Sequence, residues 1–367
     1  MITLDSEVDN YITLNNERYS YFAGNDYLGL ANHPDFIQTA TAALQKYGIN
    51  FAASRKTTGT SDIHLQLEKA LAGYKGTDDA VVFASGYLGN RLLLEALRDR
   101  YTAVFADAQA HPSIREGIPH SITSVYYYEH CNTGHLELIL KEHPGHRPLI
   151  ITDGVFALTG EIAPLDRIAA IARKYRAPLI VDDAHSTGIL GDTGKGTPEY
   201  FGLAGADNIF QSETMSKAIG GYGGFIAANR QIIAAIREKS LFYGASTALP
   251  PPLVAAGSAA VTYLSGHPEL RIRVLENARR VREGLLSSGF ETSDSIMPII
   301  PVFFDRLEKA KDLSAFLKEN LIIAPAVDYP VKTGRCLVRV TVSANHSTGQ
   351  IDHLLAVLKQ WKDRPAG

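Results

Sequence analysis

Four short stretches of this chain hold residues whose types and spacing can do chemistry. In the first, the apolar run Leu179-Ile180-Val181 leads straight into Asp182-Asp183-Ala184-His185-Ser186-Thr187-Gly188. In an open α/β sheet, ligands bind outside the carboxyl ends of the strands, so Asp182 and His185 stand where chemistry is expected. Taken alone, the pair reads equally well as an aspartate capping the next helix and a surface histidine. In the second, Lys217 lies 35 residues after Asp182, room for one helix and one strand, and is followed by Gly220-Gly221-Tyr222-Gly223-Gly224. A lysine among small residues can approach a ligand closely, and a buried lysine of depressed pKa suits Schiff-base chemistry. The alternative is a glycine-rich loop with a solvated lysine. Against it, four glycines in five positions are costly unless the backbone needs them.

The third stretch is Phe83-Ala84-Ser85-Gly86-Tyr87-Leu88-Gly89-Asn90, a strand turning through Ser-Gly into a helix. Free N–H groups and the helix dipole make such a turn a phosphate cradle, and an aromatic beside it could cover a flat ring. Strand–Gly–helix turns are also common without a ligand. The fourth is Asp107-Ala108-Gln109-Ala110-His111-Pro112-Ser113, where His111 could stack on a ring or stand exposed in a loop. Together, a phosphate cradle, a stacking ring, a carboxylate and a Schiff-base lysine are what pyridoxal phosphate needs. The carboxylate keeps the pyridine nitrogen protonated, and the ring then serves as an electron sink.

These residues need a frame to hold them. Short apolar runs at 79–84, 102–106, 122–128, 148–152, 178–181, 208–211 and 224–227 read as buried strands. Helical stretches at 63–73, 86–97, 136–142 and 165–175 lie between them. In the last, Leu165, Ile168, Ala169, Ala172 and Tyr175 recur at helical spacing. Strands alternating with helices predict crossovers and an α/β fold around a mostly parallel seven-stranded sheet. Pro250-Pro251-Pro252 predicts a junction. Beyond it come a long helical region, 253–288, broken near Gly266-His267-Pro268, and a smaller α+β unit of runs at 299–304, 307–320, 337–342 and 351–361. The expected organisation is an N-terminal arm (1–40), a large domain (41–250) and a small C-terminal domain (251–367).

The 367 residues carry 36 Lys+Arg against 39 Asp+Glu, a formal charge of −3, with 45% hydrophobic residues. Near-neutral charge gives no bulk attraction for nucleic acid or an anionic membrane. No apolar run reaches the roughly 18–20 residues of a membrane span. The N-terminal residues lack signal-peptide features. Two cysteines, Cys131 and Cys336, make no disulfide framework and sit in no metal-ligand spacing, so no metal is expected. The expected location is cytoplasmic.

Six motifs in order resemble the α-oxoamine synthase family of fold-type I pyridoxal-phosphate enzymes. They are Gly24-Asn25-Asp26-Tyr27-Leu28-Gly29-Leu30, Phe83–Tyr87, Thr152-Asp153-Gly154-Val155-Phe156, Val181–Gly188, Thr214–Gly224 and Val338-Arg339-Val340-Thr341-Val342-Ser343-Ala344. The resemblance spans about Tyr21 to Trp361. It implies Lys217 as the lysine bonded to pyridoxal phosphate and as general base. It implies Asp182 as partner of the pyridine nitrogen, His185 as partner of the ring hydroxyl and His111 as the stacking histidine. Ser85, Gly86, Tyr87, Asp153 and Thr214 complete the implied cofactor set. Arg339 would grip the amino-acid carboxylate through a bidentate fork, or else form a structural ion pair, and Asn25 would lie near the substrate. Ser246 and Thr247 resemble a segment that reaches a neighbouring subunit's site, which implies a homodimer with shared sites.

The implied reaction joins an amino acid to an acyl thioester, on CoA or a carrier protein, with loss of carbon dioxide. Within the family, the Gly24–Leu30 motif and Gly160-Glu161-Ile162-Ala163-Pro164-Leu165 resemble the biotin-pathway subfamily, with the glycine acetyltransferases next. A cofactor-binding partner chain without catalysis is the alternative of another class. The departures from the family lie at Asn50, Ala52 and Ala53, where glycines are common, which would tighten the pocket there, and at Ala157, in place of a serine.

Overall fold

A computed structural model describes residues 3–327 and 335–364. The chain opens with an antiparallel hairpin, β1 (Tyr11–Leu14) and β2 (Glu17–Tyr21). Seven strands then build the main sheet: β3 (Asp79–Phe83), β4 (Ala103–Asp107), β5 (Val125–Tyr128), β6 (Pro148–Asp153), β7 (Leu179–Asp182), β8 (Ile209–Thr214) and β9 (Gly224–Ala228). Their order is β3-β9-β8-β7-β6-β4-β5. β9 runs antiparallel to both its neighbours, while β8, β7, β6, β4 and β5 pair in parallel. The mostly parallel sheet of seven is therefore present. The run expected as a strand over 122–128 pairs only from Val125, because Ile122 closes a turn onto Pro119.

Alternation along the strands shows why the sheet is buried on both faces. Val104, Ala106, Leu149, Ile151 and Ile180 pack into one core with Leu92, Leu93 and Ile114. Their chain neighbours Ala103, Phe105, Ile150, Leu179 and Val181 pack into another with Leu165, Ile168 and Ala172. Successive side chains on a strand point to opposite faces, so each apolar run feeds two helical layers.

The chain divides into two compact units, Pro34–Phe156 with Ile162–Gly266, and Met1–His33 with Ala157–Glu161 and His267–Gly367. These divisions fall elsewhere than residues 40 and 250. From Pro34 a helix runs to Tyr47, and Phe36 on it meets Tyr263 edge-on at 5.7 Å. Tyr263 belongs to the Pro251–Gly266 helix, which places that helix with the larger unit. The prolines expected at a domain junction thus open a helix. Pro251 and Pro252 occupy its first turn, where a missing N–H costs nothing. The expected break follows at Gly266-His267, and Pro268 starts the next helix, Pro268–Ser287.

The smaller unit carries two three-stranded sheets. β10 (Ile299–Phe304), β12 (Ala326–Val327) and β13 (Cys336–Thr341) form one, in the order β10-β13-β12; β11 (Ile322–Ile323) adds in parallel to β2 in the other. Helices Leu307–Glu319 and Thr348–Lys362 complete the expected α+β unit.

Candidate active site

The cofactor residues expected from the sequence lie in the larger unit, just beyond the carboxyl ends of β3, β4, β6, β7 and β8 or at them. β3 ends at Phe83, and Ser85 then accepts a hydrogen bond from the Tyr87 N–H at 3.3 Å, capping a short turn over Gly86–Leu88. A Cβ on Gly86 would come 2.8 Å from Cβ of Thr214, so this position takes glycine for closeness to β8. Gly224 approaches the same turn: a Cβ there would lie 2.7 Å from Cα of Gly86. This close approach explains part of the glycine run that follows Lys217. Thr214 Oγ1 donates to the Gly223 carbonyl at 3.0 Å and accepts from the Ser216 N–H at 3.2 Å, shaping the turn that carries Lys217.

Asp153 and Asp182 stand in register at the ends of β6 and β7, both buried. Asp153 Oδ2 accepts from the His111 N–H at 3.0 Å. Burial, and next the charge of Asp182, push the Asp153 carboxyl well above the usual carboxylate range. Asp182 Oδ2 accepts from Asn90 Nδ2 at 2.6 Å and from Ser113 Oγ at 3.3 Å, and its Oδ1 from the Ala184 N–H at 3.2 Å. His111 caps the helix Pro112–Gly117, its Nδ1 accepting from the Ser113 N–H at 3.2 Å. Burial lowers its pKa; Asp182 opposes this and Lys217 adds to it. The Tyr87 ring stands edge-on to that of His111, with centroids 5.9 Å apart at 71°. Burial and a hydrogen bond to Glu116 push the Tyr87 phenol up to about 12, so it stays neutral. Lys217 is half-buried, and its charge acts on both His111 and Asp153. His185 is buried in the turn after β7.

Asp183 is occupied otherwise. It accepts from Ser186, from the Thr197 hydroxyl at 2.6 Å and N–H at 3.0 Å, and from Gln211 Nε2, so it ties loops together. Of the two adjacent acids, Asp182 is the one facing Asn90, His111's helix and Asp153.

Asn90 is one residue that sequence reasoning missed. It is fully buried, it holds Asp182, and its Oδ1 has no hydrogen-bond partner. In the sequence it reads only as a polar residue in a helical first turn. Lys75 and Glu213 were missed too; they form a buried ion pair at 2.5 Å, and Thr187 Oγ1 donates to the same Glu213 oxygen at 2.6 Å.

The smaller unit brings Asn25 and Arg339 together. Arg339, on β13, donates from Nη2 to Asn25 Oδ1 at 2.9 Å, from Nε to the Ala157 carbonyl at 2.8 Å, and from Nη1 to Thr341 Oγ1 at 2.9 Å and the Gly24 carbonyl at 3.3 Å. All four acceptors are neutral. Among the described residues no carboxylate pairs with Arg339, so the alternative of a structural ion pair lacks its acid. The Ala157 contact uses the main chain, which leaves it indifferent to the serine-to-alanine departure. The buried Tyr27 phenol is pushed up to about 12 by burial, with Arg339 opposing.

Ser246 and Thr247 stay apart from these clusters. Ser246 Oγ donates to the Phe242 carbonyl at 2.5 Å, and Thr247 bridges to Ser54. In the 50–55 loop, Ala52 takes φ +50 where glycine would be at ease, held by a hydrogen bond from its N–H to Asn50 Oδ1 at 2.6 Å. Arg55 turns inward to Glu68 at 3.0 Å.

The larger unit's residues fit pyridoxal phosphate. There is a glycine turn that a Cβ would block, a buried carboxylate already oriented by an amide, an imidazole held beside it, a lysine and an orphaned buried Asn90 oxygen. Sheet, cradle and lysine define a fold-type I pyridoxal-phosphate-dependent transferase. The chain belongs to the aminotransferase class I and II family, whose model matches residues 20–358.

Among curated relatives it is similar to the 8-amino-7-oxononanoate synthase of Geobacter sulfurreducens, 38% identical over 91% of this chain and 86% of that protein. It is also similar to 8-amino-7-oxononanoate synthase 1 of Bacillus subtilis, 35% identical over 97% and 91%. Among solved structures, the serine palmitoyltransferase from S. paucimobilis matches with TM-score 0.93 at 28% identity, over 98% of this chain and 92% of that one. An 8-amino-7-oxononanoate synthase from Francisella tularensis matches with TM-score 0.80 at 27% identity, over 93% and 96%.

Proposed function

We propose that this chain is an α-oxoamine synthase that works as 8-amino-7-oxononanoate synthases do. It condenses an amino acid with an acyl thioester, releasing carbon dioxide and a free thiol, and leaves an α-amino ketone. The observation that carries this reading is the unneutralised Arg339 guanidinium presented beside Asn25, a seat for a carboxylate. Support comes also from relatives of that name at 35–38% identity over most of the chain.

Pyridoxal phosphate, when bound, supplies an electron sink for the amino acid's α-carbon. Ser85, Gly86, Tyr87 and Thr214 would take its phosphate, and His111 would lie against its ring. Asp182, oriented by Asn90, would hold a proton on the ring nitrogen, and His185 would bond the ring hydroxyl, the role the resemblance implies for it. Lys217 takes the proton from the α-carbon as general base. Arg339 and Asn25 fix the substrate carboxylate, so that the bond to be broken is aligned before it breaks. The resemblance at Ser246 and Thr247 supports a homodimer in which these residues serve the neighbouring subunit's site. No helix among the described residues is long and apolar enough to cross a membrane.

The test is a panel of amino acids crossed with acyl-CoA and acyl-carrier-protein thioesters, read by thiol release and product mass. In the product that names these relatives, the amine-bearing C8 and its methyl C9 are what alanine leaves after losing its carboxyl, and C1–C7 are an acyl group with a terminal carboxylate, so alanine with such an acyl thioester should be the productive pair. Turnover of glycine with acetyl-CoA alone would move the assignment to a glycine acetyltransferase. Cofactor binding without any thioester-dependent turnover would leave a non-catalytic partner chain.

A further inference from the structure

A second cluster of reactive groups lies at the ends of β4 and β5. Asp107, the last residue of β4, is buried. Its Oδ1 accepts from His130 Nδ1 at 2.9 Å, and its Oδ2 accepts from the Cys131 N–H at 2.9 Å. The other ring nitrogen, His130 Nε2, lies 3.8 Å from Cys131 Sγ. The carboxylate on Nδ1 fixes the imidazole tautomer, which leaves Nε2 as the acceptor for the thiol proton. Cys131 is held at φ +53, a backbone conformation that a cysteine rarely takes, and the Asp107–Cys131 N–H bond is what restrains it there. His130 is further fixed by the Phe156 ring, edge-on at 4.3 Å.

From this geometry we infer that Cys131 is a reactive thiolate, a modification site for hydroperoxides and other soft electrophiles, activated by His130 and Asp107. A thiol, an imidazole and a buried carboxylate in this order are the groups that turn cysteine into a nucleophile at neutral pH. The ionisable groups around the sulfur include Asp107, His130 and Tyr128; the last is a buried phenol whose pKa burial raises well above its ordinary value, so it stays neutral. In the reaction, the thiolate sulfur attacks the O–O bond of the hydroperoxide. An S–O bond forms, the O–O bond breaks, sulfur is oxidised to a sulfenic acid whose hydroxyl keeps the hydroperoxide's own proton, and the departing oxygen takes the proton that His130 received from the thiol. Asp107 Oδ1 also accepts from the Gln109 N–H at 2.7 Å, on the loop that carries His111. Oxidation at Cys131 therefore acts on a carboxylate that anchors the loop of the cofactor site.

The chain's only other cysteine, Cys336, supplies the internal reference. In the holoenzyme, Cys336→Ser isolates Cys131 and Cys131→Ser isolates Cys336. Iodoacetamide alkylation is followed by mass spectrometry from pH 5.5 to 9.5. Cys131 should alkylate at least about tenfold faster than Cys336 at pH 6.5, with a midpoint at least one unit below the ordinary thiol value of about 8.5. His130→Asn should remove that advantage while thermal unfolding confirms a folded protein. After hydrogen peroxide, dimedone should label Cys131 and spare Cys336. A Cys131 midpoint near 8.5 in the chain with His130 intact overturns the assignment, whatever the variant does.

Discussion

At the scale of single residues, the assignments separate by what each side chain can lose. Lys217→Ala should abolish covalent retention of the cofactor and nearly all turnover, because the proposal makes this one amine both the bonded group and the general base. Borohydride treatment of the holoenzyme should fix the cofactor to a peptide containing Lys217, and label on any other lysine would refute the assignment. Arg339 predicts a different signature. Its four neutral partners can be spared more easily than its charge, so Arg339→Ala should weaken amino-acid binding by roughly 2–4 kcal/mol with the bound-cofactor spectrum unchanged. Arg339→Lys should recover part of that, since an ammonium cannot make the fork. Substrate titration of the purified variants measures both, and normal binding in Arg339→Ala would remove it from the site. Asp182 follows from the sequence through the family resemblance, while the local run of two adjacent acids does not by itself separate it from Asp183. The distinction lies in which loops each carboxylate meets, and Asp183 meets Ser186, Thr197 and Gln211.

At the scale of elements, the strands of the main sheet were legible because their apolar runs need no partner to be recognised. The β1–β2 hairpin was not found, although its signal was present. Asn15 and Asn16 both take positive φ, 51° and 65°, the pair of conformations a two-residue hairpin turn demands and asparagine tolerates. Asn90 was invisible for another reason. Its role depends on a carboxylate 92 residues away, which no local pattern encodes. The same holds for Lys75, at the end of the helix Asp62–Lys75, which meets Glu213 on β8. Lys75→Met should cost about 3–5 kcal/mol in denaturant unfolding, because it strands a buried carboxylate; adding Glu213→Gln should recover much of it. His346 sets a pH limit on the smaller unit. It stacks on Phe22 at 4.1 Å, and its Nδ1 accepts the Ser343 N–H at 2.8 Å. Burial pushes its pKa down to about 4, against about 6.5 unfolded. Protons thus favour the unfolded chain. The stability is complete above pH 6.5 and is lost as pH falls towards 4, by about 3 kcal/mol in all. Urea unfolding at pH 7.5 and 4.5 should show that loss shrinking by about 2–3 kcal/mol in His346→Gln, and an equal loss in both proteins would contradict it.

At the scale of the whole molecule, the larger unit leaves Ile49 73% and Leu241 78% exposed, with Leu65 and Phe242 also at the surface. Ile49 precedes the 50–55 loop, and Leu241 and Phe242 lie on the short helix Leu241–Gly244; the segments that follow them are joined through the Ser54–Thr247 bridge and the Ala248 N–H to Ala53 carbonyl bond at 2.9 Å. Apolar side chains exposed on joined segments are the kind of surface that a protein partner covers. The proposed homodimer should use it: sedimentation should give twice the chain mass, and Ile49→Glu with Leu241→Glu should shift the equilibrium towards single chains. An unchanged dimer in that variant would place the interface elsewhere. The strand order carries a further consequence for how the protein is made. β3 is the earliest strand of the main sheet, and among the described residues its one strand neighbour is β9, the last of that sheet. On a ribosome adding about 5–20 residues per second, Val81, Val82 and Phe83 wait on the order of 10 seconds for that neighbour to emerge. Until it does, the nascent chain has an apolar strand for holdase chaperones to bind. It also lacks the Gly224 backbone that closes against Gly86. A polypeptide stalled or cleaved just before residue 224 holds every strand of the parallel set yet lacks one wall of the proposed phosphate seat, and should not retain pyridoxal phosphate on gel filtration.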